Sequence, residues 1–91
     1  MSWNYRLVRR RFGADPDEVR VAVHEVYYDD AGTPSACTEE PAHVEAWARD
    51  GEPTAVLREE LARFRRAVAL PVLEYDAFGG HTINRNPDHV A

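Results

Sequence analysis

Polar and apolar residues alternate along the start of the chain, with the period of a β-strand that is half buried on one face. In residues 3–12 the side chains of Trp3, Tyr5 and Leu7 fall on one side, and Val8 and Arg10 fall on the other. The pattern predicts a first strand, and we expect Trp3, Tyr5 and Leu7 to face the core.

Residues 18–28 predict a second strand, because β-branched and aromatic residues dominate them. The first three valines fall on one face, whereas Val26 and Tyr28 fall on the other. Two explanations remain open at this point. Either both faces of this strand are partly covered, or a bulge near His24 and Glu25 shifts the register.

Turn residues separate the strands. Residues 13–17 combine glycine, proline and aspartate, so the chain is expected to reverse there. Residues 29–32 predict a hairpin loop in which Gly32 takes a left-handed conformation. A third strand is expected over residues 34–40, with Pro34 at its first position. Alternation in residues 42–47 indicates that this strand resumes beyond Pro41.

A helix is predicted from Pro53, a residue favoured at the first helical position. Leu57, Leu61, Phe64 and Val68 recur at helical spacing and form one apolar stripe. Residues 72–75 are expected to form a short edge strand or an apolar strap across the sheet. From Asp76 onward no periodicity remains.

These elements predict an α+β protein with a three- or four-stranded antiparallel sheet packed against one amphipathic helix. Their order is β-β-β-α, with a short C-terminal strand as an option. Residues 1–75 are expected to form a single α+β domain, and residues 76–91 a flexible C-terminal tail. A chain of 91 residues can build one modest core.

Charge and cysteine content narrow the function classes. The net charge is −5, and residues 21–62 hold ten acidic residues against two arginines, which disfavours general nucleic-acid binding. Cys37 is the only cysteine, so no internal disulfide can form. Residues 1–6 do not resemble a signal peptide, and no stretch approaches the roughly 20 apolar residues of a membrane span. A cytoplasmic location without membrane association is therefore expected.

Three short segments carry a resemblance to known proteins: MSWNYR at residues 1–6, HEVYYD at residues 24–29, and Thr38-Glu39 followed by Pro41. The chain resembles a family of short uncharacterised bacterial proteins over residues 2–75. More distantly, its element order resembles the HicB-like antitoxin fold, which implies binding to a partner protein. The chain departs from that fold in lacking a DNA-binding extension, so the resemblance does not imply operator binding.

One cluster has the residue types for acid-base or metal chemistry. His24 would lie opposite Thr38 or Glu39 in the predicted hairpin, and Glu25 follows His24 directly. A cross-strand pair on a solvated face is the simpler interpretation, because a third ligand or a substrate pocket is not evident. His24, Glu25 and Glu39 are therefore only weak catalytic candidates, and neither a metal site nor a cofactor is predicted.

A second candidate is a basic strip formed by Arg6, Arg9, Arg10 and Arg11, with Arg20 nearby. Such a strip could bind phosphate or an acidic partner, because guanidinium groups hold oxyanions with paired hydrogen bonds. The simpler interpretation is charge that protects a strand from edge-to-edge pairing.

The leading hypothesis is a small protein-interaction or regulatory module without evident catalysis. The alternatives are a small enzyme or ligand-binding protein that uses His24 with Glu25 or Glu39, and a nucleic-acid-binding protein that uses Arg6–Arg11. The protein partner is unknown. A weak homodimer is also predicted through residues 34–47, with Val44 and Trp47 in the contact, because the third strand would lie at an edge of the sheet.

Overall fold

The computed structural model describes residues 2–12, 18–45 and 52–83 and has the α+β class that the sequence predicts. Within these residues, five strands, one α-helix and a short 3-10 helix follow one another. They are β1 (Ser2–Arg11), β2 (Val19–Tyr28), β3 (Pro34–Thr38), α1 (Pro53–Val68), β4 (Leu73–Glu74), the 3-10 helix (Tyr75–Phe78) and β5 (Thr82–Ile83).

The sheet has five strands in the order β4-β1-β2-β3-β5. Its three central strands are antiparallel, whereas β4 runs parallel to β1 and β5 runs parallel to β3. The prediction of a purely antiparallel sheet of three or four strands is therefore wrong. The short edge strand expected within residues 72–75 is present as β4, but β5 was not expected. Each of these two strands is only two residues long, which is too short for a periodic pattern.

Strands β1 and β2 pair in one continuous register, from Ser2 opposite Tyr28 to Arg11 opposite Val19. Of the two explanations for the mixed pattern in β2, partial cover of both faces is the one observed. The register shift lies further along, between Tyr27 and Tyr28, where β2 pairs with β3. Gly32 has φ of 80°, so it takes the left-handed conformation expected in the hairpin loop.

Different segments cover the two faces of the sheet. On one face α1 packs against β1, where the ring centroids of Tyr5 and Phe64 lie 4.7 Å apart. On the other face Val8, Val26, Cys37 and Phe78 form the buried cluster. Successive side chains of a strand point to opposite faces, so the odd-numbered residues of β1 face the helix and the even-numbered residues face this cluster. Trp3, Tyr5 and Leu7 share a face as predicted, but the most deeply buried cluster lies on the opposite face.

The helix begins at Pro53 as predicted, and the Glu52 side chain accepts a hydrogen bond from the Thr54 amide at 3.0 Å. Its apolar stripe is buried less than expected. Phe64 is buried, but Leu61 is 45% exposed and Val68 is 65% exposed. The helix packs mainly against β1, so only a narrow strip of its surface meets the sheet.

The beginning of the expected tail belongs to the fold. Phe78 is only 6% exposed, and β5 pairs with β3 through Cys37 opposite Thr82. The domain boundary expected at Asp76 is therefore corrected, because residues 76–83 cover the buried cluster and extend the sheet. Residues 84–91 lie outside the described residues.

The expected continuation of β3 is absent from the part of it that is described, because residues 41–45 form no strand. The Ala42 amide instead donates a hydrogen bond to the Val23 carbonyl at 2.8 Å. Trp47 lies outside the described residues. Within the described part, no helix combines the length and the apolar character needed to cross a bilayer.

Candidate functional site

His24 is fully buried in β2 on the face opposite α1. Its Nδ1 lies 2.8 Å from the Thr38 carbonyl oxygen. Since a carbonyl only accepts, Nδ1 carries the hydrogen, and Nε2 is an acceptor in the neutral ring. That Nε2 atom is also buried and has no hydrogen-bond partner among the described residues. Burial lowers the pKa of His24, and the charges of Arg20 and Arg10 lower it further, against the opposing hydrogen bond to Thr38. His24 is thus held as a neutral imidazole.

The two carboxylates predicted to act with His24 do not come together with it. Glu25 is the next residue in β2, so its side chain points to the other face of the sheet. There it accepts a hydrogen bond from the Tyr27 hydroxyl at 3.2 Å. Glu39 is exposed, and its amide donates to the Ile83 carbonyl at 2.9 Å. The partner of His24 is the backbone of Thr38 rather than an acid.

The predicted basic strip is divided between the two faces of the sheet. Arg9 forms an ion pair with Glu74 on β4, and Arg11 is exposed. On the opposite face, Arg6 donates to the Tyr28 hydroxyl and to the Pro71 carbonyl at 2.9 and 2.8 Å, respectively. Arg10 shares the face of Arg6 but lies beside aromatic rings. These four arginines therefore do not form one continuous binding surface.

The contact predicted for a homodimer is largely occupied within the chain. The outer edge of β3 pairs with β5 at Cys37 and Thr38. Val44 is 55% exposed in the segment that follows, but that segment adds no strand edge.

A groove that the sequence did not reveal runs between the start of β1 and the end of α1. Its volume is about 700 Å³. One wall is formed by Trp3, Asn4 and Tyr5, and the other by Arg63, Arg66, Ala69 and Leu70. Trp3 is 42% exposed, so its indole supplies an accessible apolar surface in the groove.

Along this groove, the outer edge of β1 has no backbone partner among the described residues. The Phe12 amide donates to the Glu18 carbonyl at 3.1 Å, in register with the Ser2–Tyr28 pairing. Even-numbered residues of β1 therefore direct their N–H and C=O groups towards β2, and odd-numbered residues direct theirs outward. Strand β4 pairs with β1 only at Val8 and Arg9. Among the described residues, none pairs with the outward backbone groups of Trp3 and Tyr5.

Glu60 binds one residue from each wall of the groove. It accepts hydrogen bonds from the Tyr5 hydroxyl at 2.6 Å and from Arg63 at 3.0 Å. Burial raises the pKa of Tyr5, and the bond to the Glu60 carboxylate raises it further, so the phenol stays protonated. Arg66 lines the same wall and has no ion-pair partner among the described residues. The groove is consequently both apolar and positively charged.

A second cluster lies on the opposite face of the sheet, where Arg10 is directly across from Arg20. The Arg10 Cζ atom lies 4.1 Å from the centre of the Tyr75 ring and 4.9 Å from that of Phe12. The Arg20 Cζ atom lies 4.7 Å from the same Phe12 ring. The sequence predicts Arg20 near the basic strip, but it does not reveal the two aromatic residues. Phe12 directly follows β1, and Tyr75 lies 63 residues further along, so only tertiary structure brings them together.

Metal ligands are not grouped in the described part of the chain, where no three histidine, cysteine, aspartate or glutamate side chains converge. No family model matches the sequence, and neither the curated proteins nor the solved structures contain a significant match.

Proposed function

We propose that this protein is a protein-interaction module that binds an extended, acidic segment of a partner in the groove between β1 and α1. The segment would add to the sheet as a further strand beside Trp3 and Tyr5. The observation that carries the proposal is the outward-facing backbone of these two residues, which line a groove and have no backbone partner among the described residues.

Strand addition is a common way for a sheet with a free edge to bind a peptide. Backbone hydrogen bonds supply affinity, and pockets for alternate side chains supply specificity. Trp3 and Tyr5 each offer one donor and one acceptor to such a strand. An unprotected strand edge is otherwise prone to aggregation. A partner bound in the groove would pair with this edge and so protect it.

The side chains of the groove favour a segment with acidic and apolar residues. Trp3 and Leu70 are both partly exposed and offer apolar contacts. Arg66 is available to bind a carboxylate, and Arg63 contributes a second charge that Glu60 partly offsets. Arginine at the wall also favours recognition by paired hydrogen bonds.

Titration with two synthetic peptides tests the proposal. One alternates Glu and Val over eight residues, and the other alternates Lys and Val. Backbone amide NMR spectra of the protein should change at Trp3 and Tyr5 with the acidic peptide, and these amides should become protected from hydrogen exchange. Methylating alternate peptide nitrogens should abolish binding, because it removes the backbone donors.

Matched variants locate the site. Arg66→Glu should abolish binding of the acidic peptide, whereas Arg65→Glu changes the same charge on an exposed residue that does not line the groove. Equal loss in both variants would indicate general electrostatic attraction. Binding that survives peptide methylation, or that shifts residues away from β1, would contradict strand addition.

The other interpretations stay predictions. The similarity to the HicB-like fold, the cytoplasmic location and the homodimer each await experiment. The proposed enzyme alternative is weakened by the separation of His24 from Glu25 and Glu39, and the nucleic-acid alternative by the division of Arg6–Arg11 between two faces.

A further inference from the structure

The cluster around Arg10 and Arg20 contains an unfavourable arrangement of charge that no ion pair among the described residues neutralises. Two like charges directly opposite one another on adjacent strands repel. Both side chains are half-buried, which strengthens their repulsion relative to exposed charges. No carboxylate of a described residue lies within 4.0 Å of either guanidinium group.

The aromatic rings explain how the two arginines are held, but not how their hydrogen-bond donors are satisfied. Phe12 lies within cation–π distance of both guanidinium groups, and Tyr75 lies beside Arg10. A guanidinium group over a ring still has its N–H groups at its rim. The Nε atom of Arg20 is buried and has no hydrogen-bond partner among the described residues.

A second orphaned polar atom lies in the same region of the sheet. His24 occupies the same face of β2 as Arg20, and its ring centroid lies 6.2 Å from that of Tyr75. Its fully buried Nε2 also has no described partner. A buried nitrogen acceptor of this kind is satisfied by a hydroxyl group or a water molecule. The face thus combines two fixed cations with an acceptor for a protonated oxygen.

We propose that Arg10 and Arg20 form a binding site for the phosphate group of a small-molecule phosphate monoester. Two guanidinium groups match the charge of a dianionic phosphate, and its three terminal oxygens accept from several N–H donors at once. A carboxylate carries half that charge and leaves part of the repulsion in place. Phe12 and Tyr75 hold both cations in position before the ligand arrives, which lowers the entropy cost of binding.

This site is separate from the groove, which lies on the face of Tyr5 and α1. The test of phosphate binding at this site is therefore independent of the test of peptide binding in the groove. A phosphodiester polymer is a different ligand, because each of its phosphates carries one charge and several contacts in a row are needed for affinity.

Calorimetry and NMR of the arginine Nε–H groups test the site with the full chain. The ligands are inorganic phosphate, phenyl phosphate, sodium acetate and a single-stranded oligonucleotide, all at matched ionic strength. We expect inorganic phosphate and phenyl phosphate to bind and to shift the Arg10 and Arg20 signals. If phenyl phosphate binds more tightly, the source is an organic monoester; if only inorganic phosphate binds, the monoester part of the proposal is wrong.

Variants separate a built site from general charge. Arg10→Gln and Arg20→Gln should each weaken phosphate binding about tenfold to a hundredfold, the effect of losing a charge-assisted hydrogen bond. Arg11→Gln removes the same charge from the neighbouring residue on the other face and should leave binding unchanged. Arg20→Lys keeps the charge and should still lose affinity, because lysine lacks the planar fork.

The melting temperature gives a second, independent measurement of phosphate binding. Phosphate should raise the melting temperature of the wild-type protein and of Arg11→Gln, but not that of Arg10→Gln or Arg20→Gln. In phosphate-free buffer, Arg10→Gln and Arg20→Gln should each be as stable as the wild type, because either substitution removes the repulsion between the two guanidinium groups. Equal weakening by Arg11→Gln, tighter binding of acetate, or preferential binding of the oligonucleotide would overturn the proposal.

Discussion

The Tyr5 hydroxyl donates a hydrogen bond to the Glu60 carboxylate, with 2.6 Å between the two oxygens, and so joins residues 55 positions apart. This bond links β1 to α1 beside the groove. The Tyr5 ring also meets Phe64 edge-on, so one side chain supplies both polar and apolar contact to the helix.

Replacing Tyr5 with phenylalanine should lower the free energy of unfolding at pH 8 by about 1.5 to 3 kcal/mol, the net value of a hydrogen bond to a charged acceptor. The pH dependence provides a sharper check. The pKa of Tyr5 is raised from 10.0 in the folded state, so its contribution is complete below pH 10 and is lost as the pH rises further. Urea unfolding at pH 8 and pH 10.5 should show a steeper loss for the wild type than for Tyr5→Phe. Parallel losses would contradict the assignment.

The central elements could be predicted from the sequence because their patterns are local. The alternation of polar and apolar residues predicted the bounds of β1 and β2 to within one or two residues. Helical spacing of apolar residues, together with Pro53, predicted the start of α1. Residue parity also placed Trp3, Tyr5 and Leu7 correctly on one face.

The remainder depends on contacts between distant segments. Residues 73–83 contribute two very short strands and a 3-10 helix, and such elements are too short to show a period. Their cover over Val8 and Val26 decides which face of the sheet is most deeply buried. The groove and the Arg10–Arg20 cluster were missed for the same reason, since each brings β1 together with a segment beyond residue 60.

Phe78 should matter more for stability than the apolar stripe of the helix. It is buried against Val8, Val26 and Cys37, so Phe78→Ala should cost about 3 to 5 kcal/mol. Leu61→Ala is the matched control, because Leu61 is 45% exposed and its loss should cost under about 1 kcal/mol. Urea midpoints of the two variants measure the difference. A larger effect for Leu61→Ala would restore α1 as the main cover of the core.

Cys37 should be unreactive in the folded protein. It is fully buried, and burial raises the pKa of its thiol from 9.0 to about 11. Alkylation by iodoacetamide at pH 8 should therefore be at least about a hundredfold slower than in urea, because the thiolate is the reactive form and access requires opening. Phe78→Ala should accelerate the reaction by loosening the cover. Fast labelling of the wild type would show that β5 separates readily from β3.

His24 should make the protein less stable in mild acid. Its pKa lies below the ordinary value of 6.5 in the folded state, chiefly because of burial, so the unfolded chain takes up a proton that the folded chain excludes. The stabilisation is complete above pH 6.5 and is lost as the pH falls from there towards the folded-state pKa. Chemical unfolding at pH 7.5, 6.5 and 5.5 should show this decline. His24→Asn removes the titrating group and keeps a side-chain donor for the Thr38 carbonyl, so its stability should change less over this range. His43→Asn is the control, since His43 is exposed, and it should retain the wild-type slope. If the slope persists in His24→Asn and disappears in His43→Asn, the acid sensitivity belongs to the surface and His24 is not the group responsible.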